Sequence, residues 1–208
     1  MTLYAGSSGF SYASWKPDFY PPGTKAGEFL RTYAELLPTV ELNTTGYRLP
    51  EEAQFRRWAE ETPDGFRFAV KMPHPNGLAP FTERARLLGD RLGPIRIMIQ
   101  QRRDDEFLAR LLDSMDPELS WALDFRHDSW AGVETGAAIA VNSLEGDAPF
   151  RYLRLREPPY DEGALADWAA RIRPVVAAGI DVFVYFKHED EPTAPQYAKR
   201  LLELCETP

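Results

Sequence analysis

The sequence predicts an α/β fold of the (β/α)8, TIM-type barrel class, irregular or incomplete after the fifth strand. Three observations carry this expectation. Eight short apolar runs with strand-like alternation recur along the 208 residues. Amphipathic helical stripes separate most of them, the order that gives parallel strands joined by right-handed crossovers. Only eleven residues separate Arg126 from Ala138, and only six separate Ser143 from Phe150. A parallel crossover usually takes a dozen or more, so the fifth and sixth helices are expected to be reduced or missing.

The first run, LYAGSS at 3–8, precedes a helical stripe of Phe29, Leu30, Tyr33, Leu36 and Leu37. The second, TVELN at 39–43, precedes a shorter stripe of Phe55, Trp58 and Ala59. FRFAVK at 66–71 leads to a helix expected over 81–92, and IRIMIQ at 95–100 leads to the cleanest stripe. There Phe107, Leu108, Leu111, Leu112 and Met115 fall at i, i+1, i+4, i+5 and i+8, on one face of a helix. WALDFR at 121–126, AIAVNS at 138–143 and FRYLRLR at 150–156 follow closely. Helices expected over 161–178 and 193–205 flank the last run, DVFVYF at 181–186. No GxGxxG follows the first run, which argues against the dinucleotide-binding form of the rival fold, a doubly wound open sheet. Neither a repeat nor a linker divides the chain, so one domain over 1–208 is expected.

Apolar residues make up 44% of the chain and charged residues 27%, a globular balance that excludes disorder. The net charge of −8 speaks against sequence-independent nucleic-acid binding but leaves room for a local basic pocket. The single cysteine, Cys205, builds neither an internal disulfide nor a zinc site and reads as a small buried hydrophobe. The opening MTLYAGSSGF lacks the pattern of a signal peptide, and no apolar run is long enough to cross a bilayer. A cytoplasmic location and no membrane partner are the expectation.

Side chains alternate across a strand, so one parity of each run faces one side of a barrel wall. Polar residues recur on one parity toward the C-terminal end of the runs. Glu41 and Asn43 share it in the second, Lys71 ends the third, and Gln100 ends the fourth. Asp124 and Arg126 follow in the fifth, Asn142 in the sixth, Tyr152 and Arg154 in the seventh, and Lys187 ends the eighth. Barrel enzymes place their chemistry at this rim. Structural ion pairs, Glu41 with Lys71 or Asp124 with Arg126, are the alternative reading of the same pattern.

The ordered blocks GSSGFSYASWKPDFYP, TVELNTTGYRLP, FRFAVKMP, LDFRHDSW and FRYLRLR resemble the domain-of-unknown-function 72 family, the YecE-like proteins. The resemblance runs from residue 5 to about 200 and implies an eight-stranded barrel of unestablished activity. Against the family pattern, Gly46 stands where Phe or Tyr is usual, and Asp124 stands for a Glu. HPNGLAP replaces a Thr-His pair after the third strand, RLRE replaces RLHG, and Lys187 and His188 replace an asparagine pair. The chain reads as a divergent, shortened member.

The first functional expectation is a hydrolase-like site for an anionic, phosphorylated or nucleic-acid-derived substrate. Arg126 and Arg154 would clamp the anion bidentately. Glu41, Asp124 and His127 are the candidate acid–base groups, and Lys71 would neutralise developing charge. Asn43 and Tyr47 extend the binding face, and Trp15 and Trp130 would stack on a ring-shaped group, with packing over the barrel mouth as the favoured alternative for both. His74, His127 and His188 lack metal-ligand spacing, so no metal site is expected, and the sequence specifies no cofactor. Two further readings stand beside it. One is a non-catalytic anion-binding or adaptor protein. The other is a glycosidase-like site using Glu41 and Asp124, which the nearby cations disfavour by holding both carboxyls ionised.

Overall fold

Backbone hydrogen bonding sorts the strands into two parallel sheets. The computed structural model describes residues 2–73, 77–135, 139–146 and 148–206. In the smaller sheet β1 (Leu3–Ser7) and β7 (Phe150–Leu155) flank β8 (Asp181–Phe186). The larger sheet runs in chain order through β2 (Thr39–Leu42), β3 (Arg67–Met72), β4 (Leu92–Ile99), β5 (Trp121–Phe125) and β6 (Ile139–Ala140). Every recorded strand pair is parallel. The eight expected runs are thus eight strands, and the α/β class with parallel pairing holds.

Among the described residues six α-helices pack against the strands: α1 (Phe29–Leu36), α2 (Glu52–Glu60), α3 (Leu78–Ala85), α4 (Asp105–Ser114), α5 (Glu162–Ala177) and α6 (Thr193–Glu206). Asp104 starts α4 by accepting from the Phe107 amide at 2.8 Å, and Asp161 starts α5 by accepting from Ala164 at 2.8 Å. The predicted helix over 81–92 is shorter than expected. It ends as α-helix at Ala85 and continues as a 3-10 stretch, Arg86–Arg91, broken where Gly89 takes φ of 56°. That conformation favours glycine and stops a right-handed helix.

The principal core lies between strands and helices. Val40, Phe68, Val70, Ile95, Ile97, Leu123, Leu153, Val182 and Val184 meet Leu30, Phe55, Leu108, Leu165, Ile172 and Leu201. A second, smaller cluster uses the opposite parity. It joins Tyr4, Ala69, Ala122, Phe150, Tyr152, Phe183 and Tyr185, drawn from both sheets. The inner faces of the two sheets therefore pack against each other.

The sheets meet at two seams. At the first, the Tyr33 hydroxyl of α1 accepts from the Ser7 amide at 2.8 Å and donates to the Thr39 carbonyl at 3.1 Å. A phenol thus replaces ladder bonds between β1 and β2. Gly6 permits the approach, since a Cβ there would lie 2.0 Å from the Thr39 carbonyl oxygen. At the second, Asn142 adopts φ of 70°, donates its amide to the Tyr152 carbonyl at 2.8 Å, and accepts from the Arg154 amide at 2.7 Å. Asparagine tolerates this left-handed conformation better than most residues.

The sector after β5 is reduced, as the spacing predicted. Among the described residues between β5 and β7 the only helical turn is 3-10, Asp128–Trp130, and β6 has two residues. Residue 138, the start of the expected sixth strand, lies outside the described residues. Arg151 supports this sector instead of a helix. Its buried guanidinium donates to the carbonyls of Leu144, Ala148 and Phe150 at 3.0, 2.6 and 2.9 Å, and also to that of Gly146.

Candidate functional site

The inner parity of the strands carries small residues low down and charged ones above. Register sets Lys71 beside Arg96, Arg96 beside Ala122, and Met98 beside Asp124. Ala69 and Ala122 leave room for the long side chains of their neighbours. On the facing sheet, Phe150, Tyr152 and Arg154 ascend β7 beside Asp181, Phe183 and Tyr185 of β8.

Glu41 is the centre of the arrangement. It is fully buried, and Arg154 grips it with two bonds, Nε to Oε2 at 2.9 Å and Nη2 to Oε1 at 2.8 Å. Tyr152 donates its hydroxyl to Oε2 at 2.6 Å, and Arg96 Nε lies 3.0 Å from the same oxygen. Burial alone would push this carboxyl up, but the Arg96 and Arg154 charges outweigh it and hold the pKa at about 2. Asp124 accepts from Arg96 at 2.6 Å and from Arg126 at 2.6 Å, with Arg154 Nη1 at 3.6 Å. Arg96 also donates to Asn43 Oδ1 at 3.0 Å, whose amide in turn donates to the Ser8 carbonyl at 3.3 Å. One network thus ties β2, β4, β5 and β7 together.

Cations outnumber carboxylates here. Arg96, Arg126, Arg154, Lys71 and Arg156 sense one another or the two carboxylates, Glu41 and Asp124. Burial and the charges of Arg96 and Arg154 lower the Lys71 ammonium below its ordinary pKa. Burial and the charges of Arg154 and Arg126 do the same to Arg156. Arg154 Nη1 is buried and has no hydrogen-bond acceptor among the described residues.

The site therefore unites Glu41, Asn43, Lys71, Asp124, Arg126 and Arg154 of the residues predicted from sequence. Tyr47 stands at the edge, 82% exposed, with Lys71 Nζ 4.7 Å from its ring centre. His127 is half-buried and occupied locally, its Nδ1 accepting from the Ser129 amide at 3.1 Å to cap the turn after β5.

The two tryptophans take the packing role rather than the stacking one. Trp15 is fully buried among Tyr12, Phe19 and Tyr20, with its indole NH on the Glu189 carbonyl at 3.2 Å. Trp130 is buried against Phe125 and donates to the Gln101 carbonyl at 2.8 Å. Both are committed to packing and offer no open face for stacking. Of the two expected pairings, Asp124 with Arg126 forms at 2.6 Å, whereas Glu41 pairs with two arginines rather than with Lys71.

Sequence reasoning missed Arg96 and Arg156. Arg96 was legible in IRIMIQ, where it shares the parity of Gln100 against Ile95, Ile97 and Ile99. Arg156 follows Arg154 at the same parity. Among the described residues, no group of three His, Cys, Asp or Glu side chains is placed to hold a metal ion. His74 lies outside the described residues.

Comparison with known proteins gives one answer. The family model described as "Protein of unknown function DUF72" matches residues 4–208. The UPF0759 protein YecE of Escherichia coli is 32% identical over 112 residues, covering 47% of this chain and 41% of YecE. The UPF0759 protein YunF of Bacillus subtilis is 30% identical over 87 residues, covering 39% of this chain and 30% of YunF. The matched segment thus spans less than half the length of either curated relative. A crystal structure of a DUF72 family protein from Thermotoga maritima superposes with a TM-score of 0.80 at 23% identity, covering 99% of this chain and all of that one. Another, from Enterococcus faecalis, gives 0.77 at 16% identity, covering 100% and 98%. At those identities the likeness speaks for the fold alone. Matched by the family's own pattern along nearly its whole length, this chain belongs to the DUF72 family of proteins of unknown function.

Proposed function

We propose that the two sheets form the wall of one (β/α)8-type barrel, and that the network at its C-terminal strand ends binds a small anionic ligand and acts on it. The closure is supported by the two seams and by the inner cluster that both sheets share. The observation that carries the function is the cationic surplus. Arg96, Arg126, Arg154, Lys71 and Arg156 surround Glu41 and Asp124, so the pocket holds more positive than negative charge. A protein of net charge −8 that gathers cations in one place favours an anion there over any other ligand class. Phosphate and carboxylate groups match the fork of a guanidinium.

Glu41 does not serve as the acid. A carboxyl held near pKa 2 keeps no proton at neutral pH, which speaks against Glu41 as the general acid a glycosidase requires. Its role is to fix Arg154 and Arg96, which leaves Arg126, Lys71 and Arg156 to meet the ligand. Calorimetric titration with inorganic phosphate tests the reading. Arg126→Ala is expected to weaken binding by about tenfold or more, equivalent to about 1.4 kcal/mol, while circular dichroism stays that of a folded protein. Absence of phosphate binding by the unaltered protein would sink the proposal. Hydrolysis of phosphate monoesters and diesters, with and without divalent ions, then separates catalyst from adaptor.

A further inference from the structure

Lys71 has a setting that anion binding alone does not require. It ends β3, only 9% exposed, with its ammonium beneath the open ring of Tyr47. Its stem runs through space that exists because residue 46 is glycine. A Cβ at Gly46 would lie 2.3 Å from Lys71 Cδ and 2.7 Å from Cε. Among the described residues no carboxylate forms an ion pair with its Nζ, whereas the exposed Lys187 reaches Glu189 at 2.9 Å. Burial, then the charges of Arg96 and Arg154, lower its pKa, while Glu41 and Asp124 oppose them. A partly desolvated lysine beside fixed guanidinium groups is the arrangement that makes an amine nucleophilic.

The geometry points to Lys71 as an amine that condenses with the carbonyl of a 2-oxo acid whose carboxylate is held by Arg126 and its neighbours. This rests on the anion-pocket reading and adds the substrate class. The ammonium first loses a proton to water. The Nζ lone pair forms a bond to the carbonyl carbon as the C=O π pair moves to oxygen, and transfer of a proton from nitrogen to that oxygen gives a carbinolamine. Loss of its hydroxyl as water, after protonation from solvent, leaves the iminium, a protonated imine. No oxidant or reductant is consumed.

Reductive trapping tests it. The protein is treated with pyruvate and cyanoborohydride at neutral pH, and adducts are located by peptide mass spectrometry. The chain has five lysines, Lys16, Lys25, Lys71, Lys187 and Lys199, so each serves as an internal control. Lys71 is expected to be modified about tenfold faster than Lys199, because a carboxylate held by the neighbouring guanidinium groups keeps the carbonyl beside its amine. Acetone, which lacks the carboxylate, should show no such preference, and inorganic phosphate should slow the pyruvate reaction. Gly46→Ala, which pushes the Lys71 stem and its amine out of position without removing the lysine, should abolish the preference in a folded protein. Equal labelling of all five lysines overturns the proposal. If phosphate binds by calorimetry yet Lys71 shows no preference, the amine chemistry falls and the anion pocket stands. If phosphate does not bind and acetone labels Lys71 as fast as pyruvate does, the anion-pocket reading falls with its substrate class.

Discussion

Glu41 shows what one buried charge does in this protein. Its carboxylate receives bonds from Arg154 and Tyr152 with Arg96 at ion-pair distance, so every near neighbour depends on its charge. Removing one partner of a buried ion pair is costly mainly because the other charges stay buried and uncompensated. Glu41→Gln is therefore expected to destabilise the fold by about 3–5 kcal/mol in urea unfolding; a loss under about 1 kcal/mol would contradict the network. The pH dependence has a definite sign. Folding lowers this carboxyl from an ordinary value of 4.5 to about 2, so its contribution is complete above pH 4.5 and is lost as pH falls toward 2. The loss over that window is on the order of 3 kcal/mol, and Glu41→Gln should flatten the acid limb of the stability curve. At this scale the sequence was partly legible. Strand parity exposed Glu41, Asp124 and Arg154 because alternation is a local property. It could not assign partners, since which arginine reaches which carboxylate depends on register between strands that are far apart in the chain. Trp15 and Trp130 stayed open between stacking and packing for the same reason: a loop position alone does not reveal that the ring turns back into the core.

At the scale of elements, the seam between β1 and β2 is where local rules and tertiary packing divide the work. Tyr33 lies on the apolar stripe of α1, and from sequence it is simply a core residue. In the fold its hydroxyl joins two strands that share no ladder, bonding the Ser7 amide and the Thr39 carbonyl. Tyr33→Phe keeps the ring and removes the bridge. Leaving a buried donor and acceptor unpaired is expected to cost about 1–3 kcal/mol, seen as a lower denaturation midpoint with an unchanged m-value. A midpoint that does not move would mean the seam is held by other contacts. Helix and strand positions were readable because apolar spacing at periods of 3.6 and 2 survives in any context. Seams were not readable, because a phenol replacing a ladder bond leaves no periodic trace. The shortened helix after Ala85 had a local signal in Gly89, which the apolar stripe over 81–92 concealed.

Across the whole molecule, stability and the candidate site are distributed unequally. β3 and β4 lie inside a five-stranded sheet beneath packed helices, whereas β6 is two residues long and its neighbourhood rests on Arg151 and Asn142. Regions with few buried apolar contacts open at lower free energy than core strands. Amides of Val141 and Asn142, bonded to the Leu123 and Tyr152 carbonyls, are therefore expected to exchange with deuterium about a hundredfold faster than those of Val70 and Ile97. The same sector lies between two arms of the proposed anion clamp, Arg126 beyond β5 and Arg156 beyond β7. An opening that parts β5 from β7 separates those arms and expels the anion, so ligand and opening compete. Phosphate at about a hundred times its dissociation constant stabilises the closed form by about 2.7 kcal/mol. It should slow exchange at Val141 and Asn142 by a similar factor of about a hundred while leaving frayed positions elsewhere unchanged. Uniform exchange across β4 and β6 would refute the uneven distribution. Protection confined to residues remote from Arg126 and Arg156 would place the anion somewhere else.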